Sequence, residues 1–156
     1  MQLQDLLHDI ENTGATLNEI AVYQSGEIQT LRLRPGDNCS NSYSVSKAFV
    51  MTALGMLSDD GILDVKKTVA HYMGDLLPKD ADPAWKTVTI ENTITHKVGY
   101  DEGFLDIDVD DVNAYPTDDY LEMVFRHPIK HLPGQHYQYS DAAYYLLSRL
   151  VTAVSG

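Results

Sequence analysis

The chain has a single cysteine, Cys39, and no apolar run long enough to span a membrane. A lone cysteine cannot form an intramolecular disulfide and has no CxxC partner for zinc, so neither a disulfide framework nor a cysteine metal site is indicated. The N-terminal segment lacks the basic and apolar regions of a secretory signal. Because a membrane helix needs about 18 successive apolar residues, we expect a cytoplasmic protein without a membrane span.

Basic residues are also scarce, with 11 Lys and Arg against 23 Asp and Glu, which gives a formal net charge of −12. This charge repels a phosphate backbone, so a nucleic-acid partner is not expected. Hydrophobic residues make up 44% of the chain and charged residues 22%, which is typical of a globular protein and excludes a disordered or collagen-like chain. A length of 156 residues predicts one domain.

Metal-ligand patterns are missing as well. The six histidines form no HExxH motif, and a proline interrupts the pair spaced four apart, His127 and His131. The segment 106–110 opens like a calcium loop, but Asp111 stands where the EF-hand pattern needs glycine and Thr117 where it needs glutamate. The sequence therefore indicates neither a metal site nor a cofactor.

The apolar spacing predicts a mostly helical α+β chain. Leucine and isoleucine recur at helical spacing over 3–10, which predicts a short helix stopped near Gly14. The β-prone runs 20–23 and 28–33 flank four turn residues and predict a hairpin. We expect these elements to occupy 1–38 of a single domain.

The rest of the domain, 39–156, is expected to be helical. Residues 45–57 are apolar on nearly every face, which predicts a helix buried all round and stopped at Gly61. The acidic stretch 101–119 has few periodic apolar positions and is predicted to be an exposed loop. Further helices are predicted at 68–72, 89–95, 120–125 and 143–154.

The tetrad Ser44-Val45-Ser46-Lys47 at the start of the predicted buried helix is the first candidate for chemistry. Residues three apart share a helix face. Apolar surroundings are expected to depress the pKa of Lys47, so that its amine can take the proton of Ser44 and create an acyl-transfer nucleophile. The helix N-terminus also offers N–H groups and a positive dipole end to a developing oxyanion. The alternative is an N-capping serine with a surface lysine.

The second candidate, Tyr139-Ser140-Asp141, lies just before the last predicted helix. A tyrosine at this place can relay a proton between a serine, a lysine and a leaving group. The alternative is a helix-capping Asp141 beside a packed Tyr139.

Taken together, these segments resemble the serine β-lactamase-like family, which includes class C β-lactamases, penicillin-binding D-Ala-D-Ala carboxypeptidases and related esterases. The resemblance continues through 94–99, which looks like the family's hLLtHtSG stretch, and through the Pro-Gly pair at 133–134. In chain order, it is carried by YSVSKAF at 43–49, DGILD at 60–64, ITHKVG at 94–99 and PG followed by YQYSD at 133–141.

The resemblance implies that Ser44 is the acylated nucleophile, Lys47 its general base, and Tyr139 the relay that protonates the leaving group and helps to activate water. It places His96 at a structural position, where a ring nitrogen satisfies backbone groups. Asp141 stands where many members have an asparagine that orients the lysine and touches substrate. Because an anion favours the charged form of a nearby lysine, we expect Asp141 to weaken Lys47 as a base.

The family's third motif, Lys-Thr-Gly or His-x-Gly, does not occur in this sequence. In the family it lies on a sheet strand that also donates the second oxyanion N–H, and losing one such donor costs roughly 10²- to 10³-fold in rate. The resemblance therefore implies the first half of the fold, without the C-terminal strands. A two-stranded hairpin leaves an open edge. We expect a second copy of the chain, a companion polypeptide or a rearranged fold to cover it.

The implied activity is hydrolysis through an acyl-enzyme of a small molecule or peptide: a β-lactam, a D-Ala-D-Ala peptide or a small ester. The alternative is a non-catalytic binding or assembly module that keeps the helical scaffold. The missing third motif favours this alternative. The two differ in whether Ser44 can be acylated.

Overall fold

A computed structural model describes residues 3–36, 39, 41–106, 108 and 110–156. The chain divides into two compact units, Met1–Ser42 and Tyr43–Gly156. The described residues contain one two-stranded sheet among helices and short 3₁₀ turns, so the predicted mostly helical α+β class is confirmed. The division of a single domain into 1–38 and 39–156 stays a prediction.

The first unit contains the predicted helix and hairpin. Helix α1 covers Leu3–Thr13 and is followed by Gly14 with φ +68°. Strands β1, Glu19–Gln24, and β2, Glu27–Arg32, pair antiparallel. Both turn residues, Ser25 and Gly26, have positive φ, as in the type I′ turns whose twist matches a two-residue hairpin.

The second unit contains the helices predicted after residue 39. The last of them packs against each of the other α-helices of this unit. Among the described residues, no helix is long and apolar enough to cross a membrane. The α-helices are α2 (Ser46–Asp59), α3 (Val69–Met73), α4 (Ile90–Ile94), α5 (Tyr120–Arg126) and α6 (Asp141–Ser155). Short 3₁₀ turns cover Tyr43–Val45, Gly74–Leu76, Pro83–Lys86 and Val112–Ala114.

Side-chain caps set where the short helices begin. The Thr68 hydroxyl accepts from the third backbone N–H of its helix, and Asp119 does the same for α5. Thr89 and Asn92 form a complete capping box at α4. Gly61, with φ +72°, follows α2 at the predicted stop.

The core of the second unit surrounds α6. Its buried face consists of Ala142, Ala143, Leu146, Leu147 and Leu150. Beside it, the Trp85 ring is fully buried, packs edge-on against Phe125 and donates from Nε1 to the carbonyl oxygen of Phe125 at 3.0 Å. This core holds the loops that precede α6 in place.

The prediction that α2 is buried all round is wrong. Leu54 and Leu57 are buried, whereas Phe49 is 73% exposed and Met56 63% exposed. Helix α2 packs one face on α6, and the described residues leave its opposite face open. The apolar composition of this helix shows that it can be buried on several faces, but it does not show which neighbours cover those faces.

The acidic stretch 101–119 is mostly irregular and exposed, as predicted, although it contains a 3₁₀ turn and the buried Leu105. In the calcium-like segment, Ile107 and Val109 lie outside the described residues. Asp110 accepts from the Asp106 backbone N–H at 2.9 Å. The described residues contain no group of three or more His, Cys, Asp or Glu that could hold a metal ion.

Candidate active site

The second unit brings the four candidate side chains together at the N-termini of two helices. Ser44 lies in the 3₁₀ turn that leads into α2, and Lys47 is in the first turn of α2. Tyr139 lies two residues before α6, and Asp141 is the first residue of α6. The packing of α2 on α6 joins segments that are almost 100 residues apart in sequence.

A continuous hydrogen-bond chain links these side chains. Ser44 Oγ and the Tyr139 hydroxyl share a hydrogen bond at 2.7 Å. Lys47 Nζ donates to Ser44 Oγ at 3.2 Å and also to Asp141 Oδ1. The serine oxygen therefore lies within reach of both an amine and a phenol, as a nucleophile with two proton-transfer partners requires.

The capping explanations for the two motifs are wrong. The N-cap of α2 is Val45 rather than Ser44, and the Lys47 side chain is only 15% exposed. The N-cap of α6 is Ser140, which makes no side-chain capping bond, whereas Asp141 forms an ion pair with Lys47. The side chains of the two motifs therefore bond to each other instead of capping the N-terminal N–H groups of their own helices.

The ion pair determines the charge of the amine. Partial burial lowers the pKa of Lys47, but hydrogen bonds and charge interactions with Asp141 and Tyr139 outweigh burial and raise it above its ordinary value. The expectation that apolar surroundings depress this pKa is therefore wrong. The direction is the one expected of an anion beside Lys47, and it favours the ammonium form.

His96 lies against Tyr139. Their ring centroids are 4.6 Å apart with 30° between the planes, and the Tyr144 ring lies 5.1 Å from His96. As predicted, a His96 ring nitrogen satisfies a backbone group, because Nδ1 accepts from the Ser140 N–H at 3.3 Å. Lys47 Nζ lies 4.9 Å from the centre of the Tyr139 ring, within cation–π distance.

Two residues at the site have positive φ although they are not glycine: Tyr43 at +44° and His96 at +56°. This conformation costs about 1–3 kcal/mol per residue and persists only where surrounding contacts hold it. Tyr43 directly precedes Ser44, and His96 stacks on Tyr139. The strained backbone therefore lies beside both ends of the Ser44–Tyr139 hydrogen bond.

Sequence reasoning missed Gly103. A Cβ at this position would lie 2.6 Å from the carbonyl oxygen of Tyr139, so only glycine allows this approach. The adjacent Phe104 backbone also binds Ser140, through its carbonyl oxygen at 3.3 Å and its N–H at 3.4 Å. No spacing rule identifies such a contact, because it joins an irregular loop to a segment 36 residues away.

The family model described as Beta-lactamase matches residues 15–156. The chain is similar to a class C beta lactamase of known structure, with a TM-score of 0.69 and 19% identity over 97% of this chain and 43% of that one. It is also similar to a Bacillus anthracis protein provisionally named 6-aminohexanoate-dimer hydrolase, with a TM-score of 0.68 and 15% identity over 100% of this chain and 43% of that one.

A third similar structure is a D-stereospecific amidohydrolase from Streptomyces sp., with a TM-score of 0.63 and 20% identity over 83% of this chain and 41% of that one. The chain thus spans about two fifths of the length of these three proteins. At this level of identity, the structural matches establish the fold. The family match covers most of the chain, and the chain therefore belongs to the beta-lactamase family.

Proposed function

We propose that this chain carries the acylation site of a serine hydrolase that acts on an amide or an ester. The observation that carries the proposal is the position of Ser44 Oγ, which is 2.7 Å from the Tyr139 hydroxyl and 3.2 Å from Lys47 Nζ. In the proposed roles, Ser44 is the nucleophile, Lys47 the general base, Tyr139 the proton relay and Asp141 the residue that orients Lys47.

In the acylation step, Ser44 Oγ attacks the substrate carbonyl carbon, and its proton passes to the neutral amine of Lys47. Negative charge develops on the carbonyl oxygen, which we place at the N-terminus of α2, where N–H groups and the helix dipole stabilise it. The bond to the leaving nitrogen or oxygen then breaks, and the Tyr139 hydroxyl supplies the proton that this atom takes up. Lys47 returns a proton to Tyr139, which leaves an acyl ester on Ser44.

Deacylation reverses these roles. A water molecule attacks the acyl carbon and gives its proton to the Lys47–Tyr139 pair, and Ser44 Oγ leaves with a proton from the same pair. The products are a carboxylic acid and the free serine. Both steps use the neutral amine of Lys47, whereas the Asp141 ion pair favours the ammonium, so Lys47 must lose a proton before the reaction begins.

The proposed substrate is a small molecule or peptide with a reactive acyl group: a β-lactam, a D-Ala-D-Ala peptide or a small ester. Two of the similar structures, a class C beta lactamase and a D-stereospecific amidohydrolase, support amide chemistry by their names. The acyl-enzyme route itself does not distinguish an amide from an ester.

A second candidate function is a non-catalytic binding or assembly module. This module would keep the helical scaffold in which α2 packs on α6. We also propose that a second copy of this chain or a companion polypeptide covers the hairpin of the first unit, where Tyr23 is 73% exposed and Ile28 70% exposed.

Intact-protein mass spectrometry after incubation with a fluorophosphonate and, separately, with a β-lactam tests the proposal. We expect one covalent adduct on the wild-type chain and its loss in Ser44→Ala. Ser46→Ala is the matched control, because Ser46 lies two residues after Ser44, at the start of α2, and it should keep the adduct. If a folded wild-type chain forms no adduct with either reagent, the catalytic proposal is wrong and the binding module is favoured.

A further inference from the structure

His96 has a constrained position that the proposed reaction does not use. It follows α4 by two residues, is half-buried and has φ +56°. A β-carbon makes this conformation unfavourable for histidine, so specific contacts must hold it there. Its backbone N–H donates to the carbonyl oxygen of Thr93 at 3.2 Å, and the other contacts described below involve the short segment 137–144.

Two hydrogen bonds tie His96 to the residues on either side of Tyr139. The His96 carbonyl oxygen accepts from the Gln138 N–H at 2.9 Å, and Nδ1 accepts from the Ser140 N–H at 3.3 Å. A single residue therefore fixes the backbone both before and after Tyr139. The left-handed conformation of His96 accompanies this arrangement, in which its backbone and its side chain bind the same short segment.

Ring contacts add a third constraint. The His96 ring stacks on Tyr139 at 4.6 Å and lies 5.1 Å from the Tyr144 ring. The Tyr144 hydroxyl in turn donates to the carbonyl oxygen of Ile94 at 3.2 Å, so it is anchored to the helix that precedes His96. A stacked ring restricts the rotation of Tyr139, a residue that is 41% exposed.

The charge state of His96 suits this role. Burial and the nearby Lys47 lower the pKa of His96, while Asp141 opposes them in part. A neutral imidazole keeps one nitrogen free as an acceptor, as the hydrogen bond from the Ser140 N–H requires.

We propose that His96 is a positioning residue that holds the Tyr139 hydroxyl against Ser44. The inference deepens the proposed function and rests on it for its kinetic consequence, although the structural part can be measured without catalysis. Displacing a proton-transfer group by about 1 Å can cost about 100-fold in rate. A residue that merely filled space would change stability without moving Tyr139.

Two substitutions separate the hydrogen bond that His96 accepts from the stacking of its ring on Tyr139. Asparagine tolerates positive φ and offers a side-chain oxygen to the Ser140 N–H, so His96→Asn keeps the acceptor and removes the ring. His96→Phe keeps a ring and removes the acceptor. His71→Asn is the matched control, because His71 is exposed and packs edge-on against another tyrosine, Tyr72.

The structural readout is NMR of the full chain with ¹³C-labelled tyrosine rings and amide hydrogen exchange. We expect the ring signal of Tyr139, assigned with Tyr139→Phe, to move in His96→Asn, where the stacked ring is lost. Exchange at the Ser140 amide should be about tenfold faster or more in His96→Phe, but close to wild type in His96→Asn. His71→Asn should change neither quantity.

The kinetic readout is the rate of Ser44 modification by the fluorophosphonate, which we expect to fall at least tenfold in both His96 variants. If both variants fold and leave the Tyr139 signal, the Ser140 exchange and the modification rate unchanged, the role of His96 is refuted. If the wild-type chain is unreactive while the Tyr139 and Ser140 readouts change as expected, the acyl-transfer proposal fails and the positioning role of His96 stands.

Discussion

At the scale of single residues, the ion pair between Lys47 and Asp141 favours the charged form of the amine beside Ser44. Lys47 Nζ lies between Asp141 and Ser44 Oγ and donates to both. Because Asp141 and Tyr139 together raise the pKa of Lys47, the amine takes its base form at a higher pH than an isolated lysine would. A site of this kind is expected to work best under alkaline conditions.

Replacement of the acid tests this dependence. Partial burial lowers the pKa of Lys47, and in Asp141→Asn the anion that opposes burial is gone, so that only Tyr139 still raises this pKa. The rising limb of the pH–rate profile for Ser44 acylation should therefore move to lower pH. The measurement is the rate of fluorophosphonate modification as a function of pH.

Glu91→Gln is the control for this experiment, since it removes the acid of another ion pair, with Lys66 at 3.1 Å, whose side chains are both more than half exposed. Its pH profile should match the wild type. An Asp141→Asn profile with an unchanged midpoint would show that Asp141 does not set the charge of Lys47.

At the scale of elements, the site depends on how closely the 101–105 loop approaches the segment before α6. In Gly103→Ala, the new methyl group would lie 2.6 Å from the Tyr139 carbonyl oxygen, so this backbone must move. We expect the rate of Ser44 acylation to fall by about 10- to 100-fold, because Tyr139 moves with its backbone. The rate is measured with the fluorophosphonate at fixed pH.

Gly55→Ala provides the matched control. Gly55 lies inside α2, and a Cβ there would meet nothing within 4 Å. Because alanine favours a helix interior over glycine, this variant should be more stable by about 0.5–1 kcal/mol, with an unchanged acylation rate. Equal rates in Gly103→Ala and Gly55→Ala would contradict the proposed coupling between the loop and Tyr139.

The capping box of α4 supports the segment that carries His96. Thr89→Ala removes the side chain that accepts the Asn92 N–H at 3.0 Å and should lower the free energy of unfolding by about 1 kcal/mol. Urea denaturation followed by circular dichroism measures this change. Thr95→Ala, at the other end of the same helix and exposed, should cost less than about 0.5 kcal/mol. Equal losses in both variants would argue against the cap.

Local sequence patterns predicted the elements well, because apolar spacing and caps such as Thr89 act within a few residues. The spacing of Ser44 and Lys47 also predicted that their side chains lie close together, although Ser44 is in the 3₁₀ turn before α2 and not in the helix itself. Local patterns could not predict which faces of α2 are exposed or in which direction the pKa of Lys47 moves. Both depend on distant segments. The exposure of α2 depends on what packs against Phe49, and the pKa of Lys47 depends on Asp141, which is 94 residues away.

At the scale of the whole molecule, exposed apolar surface and net charge have opposite effects on self-association. Tyr23 and Ile28 are direct cross-strand partners in the hairpin, and both are mostly exposed. An exposed apolar pair on a two-stranded sheet favours association with another chain. The net charge of −12 opposes the approach of two copies.

We therefore expect self-association that increases with salt. Raising the ionic strength from 0.01 M to 1 M shortens the screening length from about 30 Å to about 3 Å, which weakens the repulsion and leaves the apolar contact. Sedimentation velocity should show a larger average species at high salt and high protein concentration. Ile28→Lys should reduce the average size of the sedimenting species.

Gln29→Lys is the matched variant for that measurement, because it adds the same charge at the next position of β2 without removing apolar surface. It should associate at least as strongly as the wild type. A wild-type chain that sediments as a monomer at every salt and protein concentration would refute self-association, and a companion polypeptide would then be the proposed cover of the hairpin.

The buried indole of Trp85 also gives this protein an internal optical reporter. It is the only tryptophan in the sequence, and its Nε1–H is bound to the Phe125 carbonyl oxygen inside the second unit. Its fluorescence emission therefore reports on the unit that contains Ser44 and not on the hairpin. Comparing the emission with far-ultraviolet circular dichroism during one urea titration shows whether the two units unfold together, without any added label.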